Sequence, residues 1–276
     1  MRSGLKKCVP PCLQDWARAR FSPFRIVSAW PQLEVGGWTA AAQAASQGYQ
    51  EGMRRMAEGE ALSFLPEEEP AGWLTSDPSF HHRMVQFSYV AARAACGKER
   101  LRILDYGGGF GAHAHAVTRM LPNFEFEYTV CELPGFCQYG QKLNPGVRFV
   151  SSLAEAGTGF DLVYASGSVQ YSRDWRELVV GLCAASRGSV YVTRSPFIIN
   201  HPSFVVVQRA YGTEYPGWVL NYREFVNEVA GCGLSLQEVM LNGQGFAVRG
   251  APEPNMHLGL LFERTGECRD KGKQEP

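Results

Sequence analysis

Between residues 101 and 264 short apolar runs of strand length alternate with longer stretches of helical periodicity, the pattern of a sheet covered by helices. Leu101 to Leu104 forms the first run. It ends at Asp105-Tyr106, passes through Gly107-Gly108-Gly109-Phe110-Gly111 and enters the helix-forming stretch 112–121, which Pro122 stops. Further strands are predicted at Phe124–Cys131, Val147–Val150, Asp161–Ala165, Ser189–Thr193, Leu234–Leu241 and Met256–Arg264. Helices are predicted from Pro134 to about Leu143, over Trp175–Ala185 and over 223–231. Asp77-Pro78 sets a cap and a proline at the first helical position for another helix ending near Gly97.

The expected fold is α/β: a seven-stranded, mostly parallel, Rossmann-like sheet closed by a C-terminal antiparallel hairpin, with an N-terminal helical cap. Residues 1–76 form that extension, with helices over 38–58 where Trp38, Ala41, Ala45 and Tyr49 recur near helical spacing. Residues 77–264 form the main domain, and a charged tail from Thr265 is expected to be disordered. Residues 197–222 carry Asn200, His201, Gln208, Tyr211, Tyr215, Trp218 and Tyr222. They read either as a substrate loop or as a folded insertion whose aromatics are core.

Composition narrows the function. The 276 residues hold 27 basic and 27 acidic side chains, so no overall field draws the chain to nucleic acid or an anionic membrane. No apolar run is long enough to span a bilayer, and no signal-peptide core follows the N-terminal lysines, so a cytoplasmic protein with a small-molecule substrate is expected. A homo-oligomer is left open. The eight cysteines are scattered and read as reduced thiols. Cys8 and Cys12 lack the third cysteine of a cluster motif, so no metal is expected.

The glycine turn carries the chemistry. Its backbone N–H groups at a helix N-terminus can approach an anionic group closely. Gly107, Gly109 and Ala112 fit the dinucleotide spacing G-x-G-x-x-[GA], which leaves a nicotinamide-dependent oxidoreductase in play. Asp105 argues against it, because a carboxylate beside a pyrophosphate is repelled whereas one beside an ammonium is attracted. S-adenosylmethionine carries an ammonium and a carboxylate and no phosphate. Glu132, 21 residues past Gly111, stands where a strand-end carboxylate meets a ribose diol in either ligand class.

The order Asp105, Gly107, Gly109, Gly111 resembles motif I of the class I S-adenosylmethionine-dependent methyltransferases. Nearly end to end, the chain resembles a methyltransferase family often encoded in bacterial surface-polysaccharide and related biosynthetic gene clusters. The shared elements are Pro10-Pro11, Trp38 with Gly48-Tyr49, the turn at 104–111 with His113, and Glu132-Leu133-Pro134. They continue through Ser166 with Gln170-Tyr171, Arg194-Ser195-Pro196-Phe197, Gln208, and Tyr215-Pro216 with Asn221.

The resemblance implies S-adenosylmethionine held by Asp105, Gly107, Gly108, Gly109, Gly111, Glu132, Leu133 and Ser166, with Ser151 or Ser152 near adenine. Gln170, Gln208, Tyr215 and Tyr222 would meet the substrate, and His113, Tyr171, Arg194 and His201 are the catalytic candidates. A histidine there could act as base to an alcohol, and Arg194 could fix a carboxylate or phosphate. Two plainer readings stand beside this one: His113, His115 and His201 as turn or loop residues without chemistry, and a non-catalytic partner that docks through residues 1–75.

Overall fold

The structure is a computed structural model that describes residues 24–26, 78–210 and 213–264. The expected N-terminal helices and C-terminal tail lie outside the described residues. After strand β1 (Phe24–Ile26), the elements run α1 (Pro78–Ala94), β2 (Arg100–Tyr106), α2 (Ala112–Met120), β3 (Glu125–Cys131), α3 (Pro134–Leu143) and β4 (Arg148–Val150). There follow α4 (Leu153–Ala156), β5 (Phe160–Ser166), a 3-10 turn (Val169–Tyr171), α5 (Trp175–Ala185) and β6 (Ser186–Ile198). The chain then forms β7 (Phe204–Ala210), β8 (Thr213–Asn221), α6 (Tyr222–Gly231), β9 (Leu234–Gln244) and β10 (Met256–Arg264).

Strands β4-β3-β2-β5-β6 are parallel neighbours in that order. Strand β10 lies antiparallel between β6 and β9 and completes the seven-stranded sheet expected from the sequence. Alternation along the central strands divides the core into two faces. Leu104, Phe160, Val163, Val190 and Val192 pack with Trp175, Val179 and Leu182 of α5 and Phe225 and Val229 of α6. Leu101, Ile103, Leu162, Tyr164 and Tyr191 pack with Phe87 and Val90 of α1 and Ala114 and Val117 of α2. Every residue of β5 is buried, as a strand covered by helices on both faces must be. The carboxyl ends of β2, β5 and β6 meet where the strand order reverses from β2, which is where open sheets of this kind hold ligands.

One feature departs from the sequence expectation, and a second follows one of its two alternatives. Strand β6 runs 13 residues, well beyond Thr193, and its last residues Phe197 and Ile198 pair with Leu220 and Asn221 of β8. Residues 197–222 are therefore a folded insertion: β7 and β8 form an antiparallel hairpin, and β1 adds to the outer edge of β7. Ile198, Phe204, Val206 and Val219 give it a small core, with Phe246 and Val248 packed against them. Asn221 ties the insertion to α6. Its Oδ1 accepts the Glu224 N–H at 3.0 Å, and its Nδ2 donates to the carbonyls of Ile199 at 3.1 Å and His201 at 2.7 Å.

Candidate active site

Close approach explains the glycines of the turn. Gly107 sits in the left-handed region at φ +73°, and a β-carbon there would lie 2.4 Å from Cβ of Ser168. A β-carbon on Gly108 would lie 2.5 Å from Oδ2 of Asp105. The turn is thus wedged between the β5 loop on one side and the end of its own strand on the other. Ser168 Oγ donates to the Tyr106 carbonyl at 2.8 Å, and Gly107 N–H donates to the Cys131 carbonyl at 2.8 Å.

Asp105 does not stand at an open mouth. It is 0% exposed beneath Gly108, and its Oδ2 accepts from the Tyr128 hydroxyl at 2.8 Å and meets His113 Nδ1 at 2.9 Å. Burial, reinforced by the charge of Asp105, holds the Tyr128 phenol protonated, so it remains a donor. Oδ1 has no partner among the described residues. Asp105 therefore lies directly under the turn, with the Gly108 backbone against its carboxylate. His113 packs against Phe87 and Tyr164 and serves to hold Asp105.

Glu132 follows β3 and faces the same turn. Its Oε1 accepts the Leu133 N–H at 3.0 Å, and its Oε2 lies 3.7 Å from where a β-carbon on Gly107 would be. Burial pushes its carboxyl up to about 7, against hydrogen bonds from Leu133 and Gly109 N–H, and the charge of Asp105 adds to the rise. Gly109 lines the turn, and Gly111, also left-handed, caps α2. Ser151 and Ser152 have local partners. Glu155 Oε2 accepts both the N–H and the hydroxyl of Ser151, while Ser152 Oγ accepts the Glu155 N–H, a capping box that opens α4. Ser166 is buried at the end of β5, just before the Gly167-Ser168 turn.

On the far side of that turn opens a cavity of about 370 Å³. Gly167, Gln170 and Tyr171 form one wall, Arg194 and Pro196 of β6 the next, and Gln208, Gly217 and Trp218 of the hairpin the third. Asn242 and His257 close it from β9 and β10, and His82 and Arg83 from α1. The walls are fixed by hydrogen bonds: Tyr171 donates to Gln208 Oε1 at 2.6 Å, Ser195 to Gln170 Oε1 at 3.0 Å, and Trp218 Nε1 to the Ser172 carbonyl at 3.1 Å.

Arg194 is aimed by strain. It is the one non-glycine residue at positive φ among the described residues, at +58°. It falls in a bulge where Thr193 and Arg194 together face Gly259, between the Ser195–Leu258 and Val192–Leu260 pairs. The bulge lays the guanidinium over Gly167, whose added β-carbon would be 3.6 Å from Arg194 Cζ. Burial and the neighbouring Arg194 charge both lower the pKa of His257, so its imidazole is neutral near pH 7.

The structure thus brings Gln170, Gln208, Tyr171 and Arg194 to one cavity, and leaves others of the expected set outside its walls. His201 is 48% exposed in the β6–β7 loop and paired with Glu253 at 3.2 Å. Tyr222, at the start of α6, packs on Phe197, and Tyr215 stands opposite Gln208 in the hairpin register, its side chain outside the described ones. Sequence reasoning missed His257, Asn242, His82 and Arg83. A lone histidine in the otherwise apolar strand 256–262 was the only signal.

Sheet order, antiparallel C-terminal strands and a glycine turn after the first parallel strand define the Rossmann-like fold of class I S-adenosylmethionine-dependent methyltransferases. No protein-family model and no curated protein matches the chain in sequence. Among solved structures, the chain is similar to the 1,6-didemethyltoxoflavin-N1-methyltransferase of Burkholderia thailandensis, solved with 1,6-didemethyltoxoflavin and S-adenosylhomocysteine. The two are 14% identical, with 88% of this chain and 95% of that chain covered and a TM-score of 0.54. It is also similar to the magnesium protoporphyrin IX methyltransferase of Synechocystis PCC 6803 with bound S-adenosylhomocysteine, at 11% identity, 82% and 99% coverage and a TM-score of 0.53.

Proposed function

We propose that the protein is an S-adenosylmethionine-dependent methyltransferase that methylates a hydroxyl of a small molecule or a sugar-containing biosynthetic intermediate. The observation that carries this reading is the shared wall: Gly167-Ser168 closes the glycine turn on one side and the cavity on the other. A donor in the first and an acceptor in the second would meet across it. The residues fit the donor. The turn offers backbone N–H groups to a carboxylate, Asp105 places negative charge under an ammonium, and Glu132 presents a carboxylate to a ribose diol. Two acids flank the turn and residues 105–113 include no lysine or arginine, which disfavours a diphosphate.

When bound, S-adenosylmethionine supplies an electrophilic methyl group on a sulfonium. The chain's own part is to hold the acceptor in line and take its proton. His257 replaces His113 and His201 as the base, because it is neutral and lines the cavity. Tyr171 has already committed its proton to Gln208.

Two results are expected. Isothermal titration gives binding of S-adenosylmethionine and S-adenosylhomocysteine and none of NADH; the reverse pattern overturns the reading. Once an acceptor is found, His257→Gln lowers kcat by about 100-fold and leaves S-adenosylhomocysteine affinity in place. An unchanged pH profile of kcat in that variant would remove His257 from the mechanism.

A further inference from the structure

We infer that the acceptor carries an oxyanion, a carboxylate or phosphate group, which docks on the Arg194 guanidinium inside the cavity. This rests on the methyltransferase reading for the word acceptor, while the anion site rests on the cavity alone.

The cavity is basic in composition. Its described lining holds two arginines and two histidines and no aspartate or glutamate. Polar neutral groups supply the rest, from Gln170, Gln208 and Asn242. Arg194 is exposed and lines the cavity, so its guanidinium is open to an oxyanion that enters.

Arg194 is the member built for the task. Its φ of +58° is a conformation that glycine or asparagine would adopt at far lower cost, yet an arginine is held there. The neighbouring register keeps it so: Ser195 pairs with Leu258 and Pro196 with His257, so the bulge cannot relax without shifting both strands. Among the described residues no carboxylate lies within salt-bridge distance of Arg194, whereas Arg93, Arg100, Arg102, Arg176 and Arg187 each have an acidic partner. A planar fork with two parallel N–H donors is the side chain best matched to a carboxylate or phosphate.

The neighbourhood gives the anion a second use. Phe246, Trp218 and Tyr171 supply aromatic wall beside Arg194, and His257 meets Phe246 at a ring separation of 5.6 Å. An acceptor anchored by its oxyanion on Arg194 would therefore lie with its body along these rings and its free hydroxyl within the reach of the neutral His257. Bidentate anchoring fixes orientation as well as position, which in-line transfer requires.

Saturation-transfer NMR with benzoate, phenyl phosphate and the neutral isostere benzamide tests this, with and without S-adenosylhomocysteine. At least one anionic probe is expected to bind the wild-type chain about tenfold more tightly than benzamide. Arg194→Gln removes that preference, and Arg194→Lys restores part of it. The stronger of the two anionic probes tells a carboxylate from a phosphate. Equal binding of benzamide and both anions, binding of none at millimolar concentration, or an anion preference that survives Arg194→Gln overturns the inference. Loss of S-adenosylhomocysteine binding in the wild type would instead overturn the methyltransferase reading, and the two failures are read from separate titrations.

Discussion

Gly107→Ala is expected to abolish S-adenosylmethionine binding and to lower stability by about 3–5 kcal/mol. Two costs combine. An alanine at φ +73° sits in the left-handed region, which costs an L-residue about 1–2 kcal/mol. Its methyl carbon would also fall 2.4 Å from Cβ of Ser168, an atom fixed to the backbone and unable to rotate away. Relief requires the β5 loop to retreat, which breaks the Ser168–Tyr106 hydrogen bond and opens the wall shared by the turn and the cavity. Gly109→Ala is the control: it has φ +59°, yet nothing lies within 4 Å of its added carbon. It should lose only the conformational share, about 1–2 kcal/mol. Thermal unfolding of both variants with and without S-adenosylhomocysteine separates the terms, and equal losses in the two would show that crowding at Gly107 is not what matters.

The sheet was legible because its signal is local. Leu101 to Leu104, Phe124 to Cys131 and Asp161 to Ala165 each announce a buried strand, and the glycine turn could lie only at a strand-to-helix joint. The turn with its two acids was legible for the same reason, since Asp105, the glycines and Glu132 sit at strand ends whose order in space follows their order in sequence. The cavity was not. His82, Arg194, Gln208 and His257 come from α1, β6, β7 and β10, so only the packed fold brings them together.

Two expected ligand contacts already have partners within the chain. Ser151 and Ser152 read as ligand contacts, yet Glu155 three and four residues on claims them for a helix cap, a local competition that the pattern S-x-x-E does encode. Asp105 reads as a carboxylate at the mouth of the first strand, yet Tyr128 and His113, 23 and 8 residues on, take its Oδ2. The hairpin at 204–221 was half legible: its β-branched and aromatic residues are strand formers, but proline and glycine at 216 and 217 argue for a loop. Pro216 stands there because β8 joins the main sheet only through its last residues.

Glu132→Gln is expected to destroy cofactor binding while making the protein more stable above neutral pH. The two effects have one origin. Burial raises the Glu132 carboxyl to about 7, so the folded protein holds its proton more tightly than an unfolded chain, whose glutamate titrates near 4.3. Ionising it in the folded state therefore costs stability: the deficit is absent below about pH 4, grows as pH rises toward 7 and is complete above that. Its size is about 1–3 kcal/mol after allowance for the part of the side chain that water still reaches. Glutamine keeps the shape and removes the charge, so its thermal midpoint should exceed the wild type's at about pH 8 and match it at about pH 4. The ionised form is the one the ribose diol needs, because both hydroxyls must donate to it. Wild-type affinity for S-adenosylhomocysteine should then fall about tenfold for each pH unit below 7 and level off above, while the glutamine variant stays at every pH about 100-fold below the wild type's high-pH affinity. A variant that gains no stability at high pH shows that burial does not strain this carboxylate. One that binds the cofactor undiminished shows that the ribose lies elsewhere, and the site would have to be rebuilt around the turn alone.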